Sequence, residues 1–195
     1  MTAARLLRSA RWGARLSQRE LSASSDVAEA TLSRIENDRR QPSVDLLERL
    51  LSRTQHSIVL VPTVRKDAAT IGAIISEALD ADDIRTAYRQ LIQLADNLAD
   101  VHGALRVGLT LAEPPPFADP GWGAALAAIG AHRLDEEGLP HAEWIDDPSR
   151  FLAAPWQPPT GGVRTRVDLS RVSQEFARRN VLIEAETLVS AWWTS

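Results

Sequence analysis

The sequence predicts a mainly α-helical protein with an N-terminal group of short helices, one short strand and a longer helical part that carries Pro- and Trp-rich loops. Three observations predict this class. Apolar residues recur at helical spacing over residues 5–53 and again over 71–98. The run HSIVLVPTV, residues 56–64, is rich in the β-branched residues that favour strands. Proline, glycine and tryptophan concentrate in residues 139–170, a composition typical of packed loops.

The composition limits the class of protein. The 195 residues are 44% hydrophobic and 25% charged, which suffices for a buried core in one or two domains. The lack of cysteine excludes disulfides and thiolate metal sites. The N-terminal stretch contains spaced arginines instead of an apolar leader, and no later stretch approaches the roughly 20 apolar residues of a membrane span. We therefore expect a soluble, cytoplasmic protein.

The charges are unevenly divided along the chain. Residues 1–66 carry 12 Lys and Arg against 7 Asp and Glu, a net charge of +5. Residues 67–195 carry 10 against 19, a net charge of −9. This asymmetry is the usual sign of a basic binding module joined to a part with another task. Chance segregation of solvated faces is the alternative.

Four short helices are predicted within residues 5–53. Ser17 and Glu20 form a capping box, because the serine oxygen accepts from an unpaired amide while the carboxylate reaches back, so the second helix begins at Ser17. A polar stretch, SASSD, separates it from the third helix, which lies within residues 27–37. After the stop signal NDRRQPS, Ser43 begins the fourth helix.

The third predicted helix has an apolar and a polar face. At 100° per residue, Ala28, Leu32 and Ile35 lie on the inward face. The outward face holds Glu29, Ala30, Ser33 and Arg34. Two short helices joined by a tight turn form a helix-turn-helix, whose second helix enters the major groove of DNA. These four side chains are therefore the predicted base contacts.

The chemistry of the base edges predicts the role of each contact. Arg34 can donate two hydrogen bonds to guanine, Glu29 can accept one from cytosine N4, and Ala30 can touch a thymine methyl group. The phosphates that flank the groove are the predicted partners of Gln18, Arg39 and Arg40. On this interpretation the basic residues of an acidic chain mark a local DNA footprint.

The same residues carry a family resemblance. Residues 6–51, about a quarter of the chain, resemble the lambda-repressor-like, or xenobiotic-response-element, family of helix-turn-helix proteins. The marks are Leu16-Ser17-Gln18, Glu20-Leu21, the run TLSRIE from Thr31 to Glu36, Arg40 and Pro42. The resemblance implies that the outward positions of residues 28–36 read bases, and that Arg11 forms a structural ion pair with Glu36.

Three positions depart from the family pattern. The family often has glycine where this chain has Arg15, Asp26 and Asp38. Aspartate enters the left-handed backbone region at modest cost, so two of the replacements are tolerable. Arg15 is the exception, and Gly13 indicates that the first helix ends early. A descendant that keeps the fold without binding DNA is the alternative, because Asp38 lies beside the predicted phosphate contacts.

The strand predicts a route to a dimer. The segment SIVLVPTV, residues 57–64, resembles strands by which some antitoxin repressors of this family pair two subunits. A single short strand needs a partner, and pairing within the same chain is the alternative to pairing across a two-fold axis. The predicted domains are thus a helix-turn-helix over 1–56, a strand and linker over 57–66 with a role in dimerisation, and an acidic, mainly helical partner- or ligand-binding domain over 67–195.

The distal part predicts further helices. An apolar stripe runs from Ile71 to Leu79, Asp82-Asp83 open a longer helix that extends to Leu98, and another helix covers about 122–134. The stretch EPPPFADPG, residues 113–121, predicts a rigid connector. A short helix near SQEFARR, an apolar VLI and a last helix that ends at Trp192-Trp193 complete the prediction.

The distal part also resembles a C-terminal region found in actinobacterial regulators of this family, some of them antitoxins. The segments that carry this resemblance are HAEWIDDPSRFLAAPW and SQEFARRNVLIEAETL. Their aromatic residues line a partner or ligand pocket on one interpretation, and anchor loops to a core on the other. These residues are Trp144, Phe151, Trp156 and Phe176.

The sequence contains no recognisable catalytic set. No metal-binding pair at i, i+4 occurs among the histidines His56, His102, His132 and His141. The stretch GGVRTRVDL, residues 161–169, lacks both the paired carboxylates of a nucleotidyltransferase and the lysine of a P-loop. Asp146-Asp147 before a proline indicates a turn and helix start. We therefore expect no enzyme, no metal and no cofactor.

Three functions compete. The leading hypothesis is a homodimeric repressor that binds double-stranded DNA at a palindromic operator, with a cognate toxin protein as the partner of its acidic distal part, as the autoregulating antitoxin of a toxin-antitoxin operon. The second is a transcription regulator without a toxin partner whose distal part senses a small molecule. The third, a nucleotide-modifying enzyme with a DNA-targeting head, needs a carboxylate pair that the sequence does not offer.

Overall fold

The computed structural model describes residues 3–58, 62–162 and 166–188, and it confirms the mainly helical fold class. The chain divides into two units, Met1–Val61 and Pro62–Ser195. None of the helices in the described ranges combines the length and the apolar character needed to cross a bilayer.

The first unit contains the four predicted short helices. They are α1 Ala3–Gly13, α2 Gln18–Ser25, α3 Glu29–Glu36 and α4 Val44–Arg53. Ser17 caps α2 and Ser43 caps α4, each through a side-chain oxygen that accepts a backbone amide hydrogen. The apolar faces meet in one core whose fully buried members are Leu7, Leu21, Leu32, Ile35 and Leu50.

The second unit begins with longer helices and ends in short turns. Its α-helices are α5 Ala68–Asp80, α6 Ile84–Ala99, α7 Gly103–Thr110, α8 Pro120–Asp135 and α9 Gln174–Ala177. Four 3₁₀ turns accompany them, at Glu143–Ile145, Pro148–Arg150, Leu169–Arg171 and Ala185–Leu188. Aspartate side chains cap α5, α6 and α8, which explains why each helix starts where it does.

Helix α8 lies at the centre of the second unit. Every residue from Gly121 to Ala131 is buried, and most of them are alanine or glycine. A helix that is apolar on all sides is buried on all sides, and small side chains let neighbouring helices approach closely. Helices α5, α6, α7 and α9 all pack against α8. A Cβ atom at Gly123 would lie 2.5 Å from Arg150 Nη1, so glycine lets the arginine side chain lie directly against α8.

The proline-rich stretch at residues 113–121 belongs to the second unit. Pro114 is buried against Gly72 of α5, Phe117 packs on the core, and Pro120 starts α8. The stretch connects α7 to α8 within one unit, and it does not separate two domains.

Two predicted elements fall wholly or partly outside the described residues. Residues 59–61 of the predicted strand lie outside them, and the described flanks at 57–58 and 62–64 contain no strand. Residues 189–195, with the predicted last helix to Trp192-Trp193, also lie outside.

Candidate nucleic-acid interface

The start of α2, the helix before α3, is fixed by local hydrogen bonds. The Ser17 amide donates to Glu20 Oε2 over 2.7 Å, and the Glu20 amide donates to Ser17 Oγ over 3.2 Å, so the predicted capping box is present. The bonds from Ser17 lower the pKa of Glu20. Helix α2 then ends at Asp26 in the left-handed region, which reverses the chain into α3.

The structure agrees with the predicted inward face of α3 except at the first residue of that face. Leu32 and Ile35 are fully buried, as expected. Ala28 was expected beside them but is exposed, because it is the N-cap of α3 and precedes the helical turns. Val27, one residue earlier, is buried in its place at 7% exposure.

The four predicted base contacts lie on the outward face of α3. Glu29, Ala30 and Arg34 are exposed, and Ser33 is half-buried. Asn37 is the C-cap of α3, and its side-chain amide donates to the Ser33 carbonyl oxygen over 2.8 Å. Within the described ranges, neither the Glu29 carboxylate nor the Arg34 guanidinium forms a hydrogen bond or ion pair with the protein. Both groups are available to an external partner.

A buried ion pair fixes the C-terminal end of α3. Arg11 Nε lies 2.7 Å from Glu36 Oε1, and Arg11 donates a second hydrogen bond to Glu36 Oε2 over 2.8 Å. The residues are only 9% and 2% exposed. The hydrogen bond to Glu36 raises the pKa of Arg11 against the effect of burial, and the charge of Glu36 adds to the increase. The pair that the resemblance implies is therefore present, and it ties α3 to α1.

Two further side chains extend this ion pair. Arg8, which the sequence analysis did not single out, donates to the Glu36 carbonyl oxygen. Its position one turn before Arg11 on α1 is the signal that would have identified it. Gln18 donates to Glu36 Oε2 over 2.8 Å and is half-buried. The Gln18 amide nitrogen carries a second hydrogen that a phosphate could accept. The phosphate contact of Gln18 therefore stays a prediction.

The basic residues after α3 are exposed. Arg39 and Arg40 follow Asp38, whose φ of 56° reverses the chain direction. Both backbone amides donate to the Arg34 carbonyl oxygen, over 2.8 and 3.1 Å, so this turn is anchored directly on α3. The backbone that carries these two arginine side chains is therefore fixed at the C-terminal end of α3.

All three family glycine positions adopt left-handed backbone. Arg15, Asp26 and Asp38 have φ of 56°, 57° and 56°. Helix α1 ends at Gly13, as expected, yet the left-handed residue is Arg15, whose amide donates to the Trp12 carbonyl oxygen over 2.8 Å. The non-glycine residues therefore keep the backbone conformation that glycine would favour.

Asp146 and Asp147 make local contacts within the second unit. Asp147 caps the turn Pro148–Arg150, accepting from the Ser149 amide over 2.9 Å. Asp146 accepts from both His141 and Arg179. Within the described ranges, no group of three or more His, Asp or Glu side chains is arranged to hold a metal ion.

The four distal aromatic residues anchor loops. Trp144 donates to the Thr110 carbonyl oxygen, and Phe176 is fully buried. Phe151 lies 4.8 Å from the guanidinium carbon of Arg179. Trp156 donates to Asp119 and packs edge-on against Trp122 at 5.6 Å between ring centroids. These contacts favour the loop-anchoring interpretation over a shared pocket.

A buried arginine that was not predicted from the sequence joins these loops. Arg179 is fully buried, pairs with Glu175 over 2.7 Å, and donates to the Ile145 carbonyl oxygen. Glu175 and Arg179 are spaced i, i+4, which is the sequence signal for such a pair. Beside it, Trp156 pairs with Val181 in an isolated parallel bridge. The two segments of the distal resemblance therefore pack against each other.

A cleft in the second unit is lined by none of the four distal aromatic residues, although Trp156 contacts two of its lining residues, Asp119 and Trp122. It has a volume of about 300 Å³ and opens between the end of α5, the start of α6 and the segment before α8. Its wall includes Leu79, Ile84, Phe117 and Trp122, with polar groups from Ser76, Asp80 and Asp119.

Comparison with known proteins bears on the first unit alone. Residues 7–57 match a family model described as helix-turn-helix. The chain matches no curated protein and no solved structure.

Proposed function

We propose that this chain is a DNA-binding transcription regulator and a sequence-specific repressor, because residues 7–57 match a helix-turn-helix family model and resemble the lambda-repressor-like family. The single observation that carries the proposal is the outward face of α3, where Glu29, Ala30 and Arg34 are exposed and the Glu29 and Arg34 side chains make no internal bond in the described ranges. A helix held from beneath by its apolar face can be inserted into a major groove without rearrangement.

Arg34 is the principal base contact in this proposal. Its guanidinium donates two hydrogen bonds to guanine O6 and N7, a pairing worth about 1 to 3 kcal/mol of discrimination. Glu29 accepts from cytosine N4 and Ala30 touches a thymine methyl group. Ser33 supplies a hydroxyl to either kind of base edge.

Phosphate contacts flank this face. Arg39 and Arg40 extend from the turn anchored on the Arg34 carbonyl oxygen, and Gln18 lies at the start of α2. Contacts of this kind fix the register of the protein on the duplex without reading sequence. They also make the affinity depend on salt concentration.

The repressor acts as a homodimer in the cytoplasm. Two copies related by a two-fold axis present two α3 helices to half-sites about 34 to 36 Å apart on a palindrome. The β-branched composition of residues 57–64 is the sequence feature behind the proposed pairing of the two chains at this segment, and the described flanks at 57–58 and 62–64 form no strand within one chain.

The acidic distal part supports an antitoxin role. Residues 67–195 carry a net charge of −9, which suits a basic protein partner such as a cognate toxin. The proposal includes no catalytic step, because Asp147 and Asp168 each cap a turn and Asp146 pairs with Arg179. Co-expression with the product of the adjacent gene tests this role, and a stable complex is expected. If the two proteins elute separately in size-exclusion chromatography and the product of the adjacent gene is not toxic to cells, the antitoxin role fails.

DNA binding is tested with the promoter region of the gene that encodes this chain. Fluorescence anisotropy measures the Kd for promoter DNA and for scrambled DNA of equal length. Arg34→Ala should reduce the ratio of the two by about 5- to 150-fold, the equivalent of one bidentate base contact. Arg53→Ala is the matched control, because Arg53 is an exposed arginine at the end of α4. An unchanged ratio in Arg34→Ala would remove this residue from base reading.

A second candidate function is supported by the cleft in the second unit. A ligand-responsive regulator needs a concave site with a few convergent polar groups, and the cleft has three polar residues on a largely apolar wall. In this case DNA binding would change with a small molecule and no protein partner would be required.

A further inference from the structure

The cleft between α5, α6 and the segment before α8 has an apolar and aromatic wall. Its volume of about 300 Å³ is at the lower end of the range for small-molecule sites. Leu79 and Ile84 form aliphatic sides and Phe117 contributes an aromatic ring, while the lining residue Trp122 is only 1% exposed and belongs to the core. A ligand that fills it therefore needs a small apolar body.

All the charged groups on the wall are negative. The carboxylates of Asp80 and Asp119 line the cleft, and within the described residues no lysine or arginine does. Asp80 is the last residue of α5, where the helix dipole adds partial negative charge. Such a site repels anions and attracts cations.

Asp119 is held in place by the protein. Its Oδ1 accepts from the Gly121 amide and its Oδ2 accepts from Trp156 Nε1, both over 2.9 Å. Each oxygen can accept another hydrogen bond, so these contacts orient the carboxylate without exhausting it. A fixed carboxylate in a cleft that the Phe117 ring also lines favours ammonium groups, because the face of an aromatic ring attracts positive charge as well.

We infer that this cleft binds a small organic cation, an amine or quaternary ammonium with an apolar body. Asp80 and Asp119 supply charge, Phe117 supplies a ring surface, and Leu79 and Ile84 receive the apolar body. This inference names the ligand class for the second candidate function and rests on that function for any effect on DNA. Binding itself does not depend on the first unit.

The test titrates phenyltrimethylammonium into the full-length chain by calorimetry, without DNA. Benzoate serves as the anionic comparison and benzyl alcohol as the neutral one. We expect saturable binding of the cation and no measurable binding of benzoate, because the wall is negative. Equal binding of cation and anion, or no binding of the cation, would overturn the inference without any variant protein.

Two matched variants locate the site. Asp80→Asn removes a lining charge and should weaken the Kd for phenyltrimethylammonium by about fivefold, the effect of losing one exposed ion pair. Asp82→Asn removes the same charge two residues away, outside the lining, and asparagine tolerates its left-handed φ of 56°. Asp82→Asn should change the Kd by less than about twofold. Equal effects of both variants would contradict a defined site and indicate a diffuse field.

DNA binding is measured separately on the same proteins. If promoter binding is intact and the cation does not bind, the cleft inference alone fails. If the cation binds and the promoter does not, the repressor proposal alone fails.

Discussion

Removal of Arg11 tests how α3 is held. In Arg11→Ala the carboxylate of Glu36, 2% exposed, loses both hydrogen bonds from the guanidinium. The hydrogen bond from Gln18 to Glu36 remains. The variant therefore leaves the nearly buried carboxylate with one neutral donor, while the Arg8 guanidinium stays on the Glu36 carbonyl oxygen.

The expected loss of stability is large. The charge centres of such a pair lie about 4 Å apart, and unit charges at this distance attract by about 4 kcal/mol at an effective dielectric constant of about 20. Removing one partner of a buried pair typically costs about 3 to 5 kcal/mol. Because Gln18 still donates to Glu36, we expect a loss of about 3 kcal/mol in the unfolding free energy of the first unit. For a domain of this size, that lowers the melting midpoint by about 12 to 24 °C.

Amide hydrogen exchange resolved by peptide measures this loss on the full chain. Peptides from residues 3–58 report on the first unit, and peptides from 62–162 serve as an internal reference. Arg19→Ala is the control, because Arg19 is an exposed arginine on α2. Arg19→Ala should change the unfolding free energy of the first unit by no more than about 0.5 kcal/mol.

The reasoning would be refuted by a loss of less than about 1 kcal/mol in Arg11→Ala, the range of an exposed ion pair. Such a result would mean that water replaces the guanidinium beside Glu36. The end of α3 would then be held by its apolar contacts alone.

Three further predictions concern other parts of the chain. Arg39→Ala should weaken binding to all DNA sequences alike and reduce the slope of log K against log salt by about one; an unchanged slope in anisotropy titrations would place the phosphate contact elsewhere. Burial lowers the pKa of His132 below 6.5, so the unfolded chain binds a proton that the folded chain does not between the two values. The unfolding free energy should therefore decrease as the pH is lowered through this interval in urea titrations, and equal pH dependence in His132→Gln would contradict the assignment. Gly121→Ala places a Cβ atom against the Trp156 indole and should cost about 1 to 3 kcal/mol in the same titrations; wild-type stability would show that the indole moves freely.

The short helices of the first unit are predictable because their signals are local. Ser17 with Glu20, and Ser43 before an apolar run, define helix starts through bonds that reach only three residues along the chain. The inward position of Leu32 and Ile35 follows from helical spacing alone. Ala28 was assigned to that face wrongly, because helical spacing does not hold at an N-cap.

Elements that depend on distant contacts were not predictable. Helix α7 was not predicted from the sequence, and its buried Arg106 is paired by Glu136 and Glu137 at the end of α8. Arg179 looks like one of two surface arginines in the sequence, yet it is fully buried among Glu175, Asp146 and Phe151. A buried charge is tolerated only where partners arrive from other segments, and sequence spacing does not show those partners.

The sequence by itself determined the helical class, the helix starts and the polar face of α3, because capping and helical periodicity act within a few residues. Tertiary structure alone decided that Glu36 is clamped by Arg8, Arg11 and Gln18, and that Asp80 and Asp119 line one cleft. The reason is physical: burial and electrostatic pairing depend on distances between groups that are far apart along the chain, and only packing sets those distances.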